Sequence, residues 1–271
     1  MELIFNKVLS IINQYNPEDE IYEFNNTKTT NVFYQIEKNG IKVDKNCFVD
    51  YYNNKLNYPE FNLYKGKIYT QYNLYTTTSR PSNTYNSINF AALNKDDGER
   101  NCYKPENHKF VELDFQGYHP RLIGELVDWH FPNDKNTYDV LGQLLNVDKQ
   151  KAKELTFKQL YGGVWSEYQY KPFFKDVNEY VNDLEECVKT KNKMFTDVKS
   201  SKLFNYIIQS YETSTNVELL EPVLNYLKNK KTKLILYTYD AFLFDYSKED
   251  KDIPTELANI LKYPVNIKKG K

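Results

Sequence analysis

The chain has 271 residues, 36 Lys and Arg against 37 Asp and Glu, a formal net charge of -1, and 40% apolar against 27% charged residues. That length allows a sizeable core, and the balance excludes intrinsic disorder and a globally basic surface, so any nucleic-acid surface has to be local. Cys47, Cys102 and Cys187 include no CxxC, which excludes a cysteine zinc site and a disulfide framework, and no apolar run is long enough to cross a membrane.

Met1 is not followed by a basic and then apolar leader, so the expected location is cytoplasmic. The richness in Lys, Asn, Tyr and Ile fits AT-rich coding. In chain order, residues 3 to 15 place Ile4, Val8, Ile11, Ile12 and Tyr15 on one helical face, which Pro17 ends. Residues 25 to 30 (NNTKTT) read as a loop or helix cap, and 31 to 39 as a short amphipathic helix stopped at Gly40. Residues 49 to 68 are polar and Tyr-rich. IYTQYNLYTTT reads as extended, followed by a turn carrying Arg80, and 83 to 107 reads mostly as loop.

Phe110 to Leu113 is an apolar strand leading to Asp114, and a helix follows Pro120. Thr137 to Leu145 is a further helix. KQKAKELTFKQLYGG, Lys149 to Gly163, is a stretch of good helix formers in which Lys149, Lys153, Phe157 and Tyr161 recur every fourth residue and so form one slowly drifting stripe. Alone, such a stripe is better read as a solvated lysine face beside a core stripe. Another helix starts at Pro172, 189 to 201 is polar, and 203 to 227 is a long helix with Pro222 as a kink or boundary. LILYTYDAFLFDY, 234 to 246, reads as a hairpin with Asp240 in its turn, before a helix over 252 to 262 and a last strand over 263 to 267.

Asp114 and Asp240 each follow an apolar strand. Two converging carboxylates repel, and a divalent cation relieves that; Mg²⁺ in particular takes one or two carboxylates and completes its shell with phosphates and water. Two acids for metal, with a Lys/Lys/aromatic helix for a nucleoside triphosphate, describe phosphoryl transfer. No GxxxxGK[ST] loop and no kinase HRD or DFG set is present.

At this point the chain resembles the family A DNA polymerases, the DNA polymerase I family. KQKAKELTFKQLYGG is similar to that family's fingers helix, with Lys in place of the usual first Arg. VELDFQGYHPRLIGEL resembles the first palm motif, and LYTYDAFLFDY the last. TTTSRPSN, NYIIQSYETSTNVELL, FYQIEKNGIKVD and YPVNIKKG resemble further segments in the family's order. The resemblance implies an α+β fold, a small antiparallel palm sheet backed by helices, with an inserted helical fingers subdomain. The implied divisions are an N-terminal region over 1–68 with a thumb stub, palm over 69–128, fingers over 129–200 and palm again over 201–271.

It further implies a DNA polymerase that adds dNTPs to a primer 3′-OH on a primed DNA template with two Mg²⁺ ions, which Mn²⁺ would replace. Asp114, Asp240 and the Phe115 carbonyl would hold metal. Lys153 would be catalytic and, with Lys149, Phe157, Tyr161, His119 and Phe115, would bind the dNTP. Arg80, Asn205, Gln209 and Arg121 would touch nucleic acid. The chain departs from the pattern at His119, where the family has a Glu crowding the sugar 2′ position, at Ala241, where a second acid is lost, and at Ser201, where an Arg is usual. About twenty residues stand where a helical thumb belongs, and no exonuclease region precedes, which implies a minimal form relying on a clamp or processivity partner and suggests a phage or mobile-element origin. An RNA polymerase or primase of the same superfamily, and an inactive template–primer-binding subunit, stay open as alternatives.

Overall fold

The computed structural model describes residues 20–53, 63–83, 88–94 and 96–270. The helix expected over 3 to 15 lies outside them. The chain runs from α1 (Glu20–Glu23) through a π-helical turn, Phe24–Thr29, into α2 (Thr30–Glu37). The NNTKTT segment was expected to loop; instead it is helical, because Thr27 Oγ1 donates to the Glu23 carbonyl (2.7 Å) and Thr30 Oγ1 to that of Asn25 (2.8 Å), turning side chains that favour turns back onto the helix. β1 (Ile41–Val43), α3 (Lys45–Asn53), β2 (Lys67–Ile68) and β3 (Tyr103–Lys104) follow, with strand order β2-β1-β3.

The expected extended run after Lys67 joins a ladder only over β2. Beyond it, Tyr72 is buried and exchanges bonds with Tyr237: its hydroxyl donates to the Tyr237 carbonyl (3.0 Å) and accepts from the Tyr237 amide (2.9 Å). Side-chain burial against the sheet has replaced strand pairing. Two 3-10 turns, Phe90–Ala92 and Glu99–Cys102, punctuate the region expected to be loop.

β4 (Lys109–Phe115), α4 (Tyr118–Leu126), α5 (Thr137–Leu145), α6 (Lys149–Gly162) and α7 (Pro172–Asn182) come next. Asn136 and Asp148 cap α5 and α6, their side chains accepting from the amides of Tyr138 and Lys151. The polar stretch after 188 forms a two-stranded hairpin, β5 (Val188–Lys189) and β6 (Met194–Phe195). α8 (Ser200–Leu227) then runs 28 residues and continues through Pro222. Leu219, Leu220, Val223 and Leu227 are buried around that proline, so packing outweighs the one lost backbone bond. β7 (Lys233–Tyr237), β8 (Ala241–Tyr246), α9 (Ile253–Ile260) and β9 (Val265–Lys269) complete the chain.

The main sheet is antiparallel, in the order β7-β8-β4-β9. One face packs on α2, α8 and α9 through Val32, Phe33, Val111, Leu113, Leu220, Phe242 and Leu257. A second cluster, with Leu141, Ala152, Leu155, Phe173 and Phe174 at its centre, binds α5, α6 and α7 into a helical layer reached by Phe204 and Ile208 of α8. A sheet backed by helices, with a helical insertion between β4 and β7, is the expected α+β class. No helix among the described residues is long and apolar enough to cross a membrane.

Candidate active site

A cleft of about 640 Å³ separates the sheet from the helical insertion. Its sheet wall is set by strand register. Asp114 stands opposite Ala241 in the β4–β8 ladder, so Asp240, one residue earlier in the turn, is placed beside it. The Phe115 amide donates to the Asp240 carbonyl (2.9 Å) and the Thr238 amide to that of Ala241 (2.9 Å), while Asn216 Nδ2 donates to the carbonyl of Tyr239 (3.0 Å). Asp240 opens toward the cleft at the turn, yet the cleft walls crowd its carboxylate. That desolvation, with Glu212 and Asp114 nearby, raises its pKa above the usual carboxylate value. Lys268 on β9 pairs with Asp114 and with Glu112 (3.0 Å to the latter). Burial opposes it, but these two carboxylates hold the ammonium above its ordinary range.

The opposite wall is α6. Lys149 and Lys153 line the cleft with Phe157. Lys149 reaches Asp139 at 3.3 Å, an exposed pair of little worth, and the Lys153 ammonium lies 5.9 Å from the Tyr138 ring centre. The Phe157 and Tyr161 rings are nearly parallel, 16° apart with centroids 5.8 Å apart. Burial, then Glu212, raises the Tyr161 phenol well above its usual range.

The two walls are joined by a residue that the sequence did not single out. Glu212 of α8 is fully buried and faces two cleft residues: Arg80 Nε at 2.8 Å and His119 Nε2 at 3.1 Å. His119 Nδ1 in turn meets the Tyr161 hydroxyl, so a chain of contacts runs from α8 through α4 to α6. Arg80 also lies flat over Tyr239, 3.8 Å from its ring centre. Gln209 accepts from Thr78 Oγ1 (2.9 Å) and donates to Asn205 (3.0 Å), so Arg80, Gln209 and Asn205 adjoin on one surface.

Of the residues expected from the sequence, Asp114, Asp240, Lys149, Lys153, Phe157, Phe115, His119 and Arg80 all line this cleft. Tyr161 adjoins it through His119. Arg121 does not line it. Its guanidinium is buried and donates to the carbonyls of Gln116, Phe131, Pro132 and Lys135 at 3.1–3.2 Å and to Asn133 (3.3 Å). With those acceptors around it, it holds the turn after α4 and has no donor directed at a bound nucleic acid. Gln116, Gln150 and Asn266 also line the cleft from within the motif segments without having been singled out, and Asn136 and Tyr138 line it from outside any motif.

Among the described residues no three His, Cys, Asp or Glu gather as a protein-only metal site. The cleft does bring two carboxylates together and raises the pKa of Asp240, by burial first and then through Glu212 and Asp114, which suits a hard divalent cation completing its shell from substrate phosphates and water. Asp114 and Asp240 are the residues that would hold it.

No protein-family model matches the chain, and no curated relative does. Among solved structures, the polymerase domain of Pol1 from M. smegmatis, in complex with DNA primer-template and dNTP, superposes with a TM-score of 0.62 at 14% identity, over 77% of this chain and 48% of that one. The fold is therefore polymerase-like, and this chain spans about half the length of that structure.

Proposed function

We propose that the chain is a template-directed DNA polymerase of the family A type, adding dNTPs to a primer 3′-OH. The observation that carries this reading is one cleft lined on its sheet side by Asp114 and Asp240 and on its helical side by Lys149, Lys153 and Phe157. A solvated lysine face would not look onto two crowded carboxylates. The fold shared with a polymerase domain solved with primer-template and dNTP supports it.

In this reading the main sheet is the palm, and α5 to α7 belong to the fingers. A divalent cation held by Asp114 and Asp240, with the Phe115 carbonyl, would lower the pKa of the primer hydroxyl and stabilise charge on the α-phosphate. Lys149 and Lys153 neutralise the triphosphate, and Lys153 protonates the departing pyrophosphate. Phe157 and Tyr161 hold base and sugar, with His119 fixing the Tyr161 hydroxyl. Arg80, Asn205 and Gln209 contact the primer terminus and template. The short segment between β1 and β2 leaves little chain for a thumb, and with it few phosphate contacts, so binding to primed DNA is weak and salt-sensitive unless a partner supplies a clamp.

Extension of a primed template by the isolated protein with Mg²⁺ and dNTPs, against NTPs in parallel, tests the reading. Incorporation of dNTPs is expected. Incorporation of NTPs alone would identify an RNA polymerase or primase, and binding of primed DNA without extension would identify an inactive subunit.

A further inference from the structure

Outside the cleft the structure brings together two nucleophiles 55 residues apart in sequence. Cys47 Sγ lies 3.0 Å from Cys102 Sγ. That is closer than the ~3.5–4.0 Å of ordinary non-bonded contact and about 1 Å beyond a disulfide's ~2.05 Å. The approach is built by the backbone. β1 and β3 pair with Val43 opposite Tyr103, so Asp44 and Cys102 flank the end of the ladder. The Asp44 amide donates to the Cys102 carbonyl (2.8 Å), and the Asp44 carboxylate accepts from the Cys47 amide (3.1 Å) at the start of α3. Lys104 pairs with the other oxygen of that carboxylate. One aspartate thus fixes both cysteine backbones. Cys102 is sealed in the core, whereas Cys47 keeps part of its surface in solvent.

We propose that Cys47 and Cys102 form a modification site, an intramolecular disulfide made and broken by exchange with small-molecule disulfides such as oxidised glutathione. The Cys47 thiolate attacks one sulfur of the glutathione disulfide, breaking its S–S bond and releasing one glutathione thiolate, which takes a proton from water. The Cys102 sulfur then attacks Cys47 Sγ, expelling the second glutathione, and the Cys102 proton passes to the departing thiolate. Two protein thiols are oxidised and one small disulfide is reduced to two thiols. Burial, then Cys47, pushes the Cys102 thiol up to about 12, which makes the partly exposed Cys47 the first attacker and Cys102 the resolving group. The bond ties α3 to the 3-10 turn before β3 and closes a chain loop containing Arg80. The exposed Cys187 has no such partner sulfur among the described residues and serves as an internal control.

The test is incubation of the folded, reduced protein with oxidised glutathione, then acid quench, alkylation in denaturant and peptide mass mapping, with thermal melting of a parallel sample. In wild type and in Cys187→Ser, Cys47 and Cys102 should lose alkylation together, appear as one linked peptide pair without retained glutathione, and recover with dithiothreitol. Cys102→Ser should stop at a glutathione adduct on Cys47. The oxidised Cys187→Ser protein should melt roughly 10 °C higher than its reduced form, from loop closure. Full alkylation in denaturant of both cysteines of Cys187→Ser, after the folded protein has met excess oxidised glutathione, would overturn the proposal. So would glutathione retained on Cys47 of that variant, or a lower melting temperature after oxidation.

Discussion

The two walls of the cleft are built on different principles. On the sheet side, Asp114 and Asp240 are fixed by a continuous ladder from Lys109↔Tyr246 to Asp114↔Ala241, and the turn between β7 and β8 is further held by Asn216. On the helical side, Lys149 and Lys153 stand on exposed positions with one weak ion pair and one distant ring between them. The acids are held in place by backbone pairing, while the ammonium groups are loosely held. In the proposed reading the difference is functional: charge that must meet a small cation needs fixed geometry, and charge that must follow a phosphate chain does not.

That contrast can be broken most sharply at the acids. Asp114→Ala or Asp240→Ala should lower primer extension by roughly a thousandfold or more, measured in single turnover. Extension within tenfold of wild type from either variant would remove the acidic wall from the chemistry. Next in size is the turn after α4. Arg121→Met strips a buried guanidinium from four carbonyls and should destabilise folding by about 3–5 kcal/mol in denaturant titrations. It should leave the salt dependence of DNA binding by the folded fraction unchanged; a smaller salt slope would return Arg121 to the nucleic acid.

The helical wall should answer more mildly. Lys153→Ala is expected to raise the KM for dNTP about tenfold and to lower kcat as well, whereas Lys149→Ala should cost only a few-fold in KM. Equal effects from both, or none, would remove the gradient along α6. The smallest effect concerns stability and pH. The Asp240 carboxyl has its pKa raised in the folded protein, so the folded state binds the proton more tightly than the unfolded chain does. Its contribution to stability is full below the ordinary carboxylate range and is lost as pH rises through the folded value. Asp240→Asn should therefore melt slightly higher than wild type at neutral pH, with the gain shrinking as the solution is acidified. A gain that grows toward acid would reverse the sign assigned here.

The elements that were legible in the sequence were those whose own periodicity met their burial. α5 and α6 fall where they were expected, α6 on a run of good helix formers, and the β7–β8 hairpin sits around the polar break at Thr238 to Asp240. What escaped was set by partners far along the chain. Glu212 reads as an ordinary helix residue, and only folding buries it between Arg80 and His119. Arg121 reads as a motif residue facing substrate, and only the turn at 131 to 135 reveals the carbonyls that claim it. Cys47 and Cys102 carry no spacing signal, since their meeting depends on β1–β3 register. The π-helical turn at Phe24–Thr29 was missed for a local reason: Asn and Thr favour turns until their side chains find a carbonyl behind them.

α8 spans about 42 Å at helical rise. Its first half gives Phe204 and Ile208 to the helical cluster, and its second half gives Val217, Leu220, Val223 and Leu227 to the cluster under the sheet. Neither cluster can come apart without exposing part of the same rod. Heat should therefore melt them in a single calorimetric transition, and slow amide exchange should extend along the rod without a weak middle. The unfolding of one wall of the cleft entails the unfolding of the other.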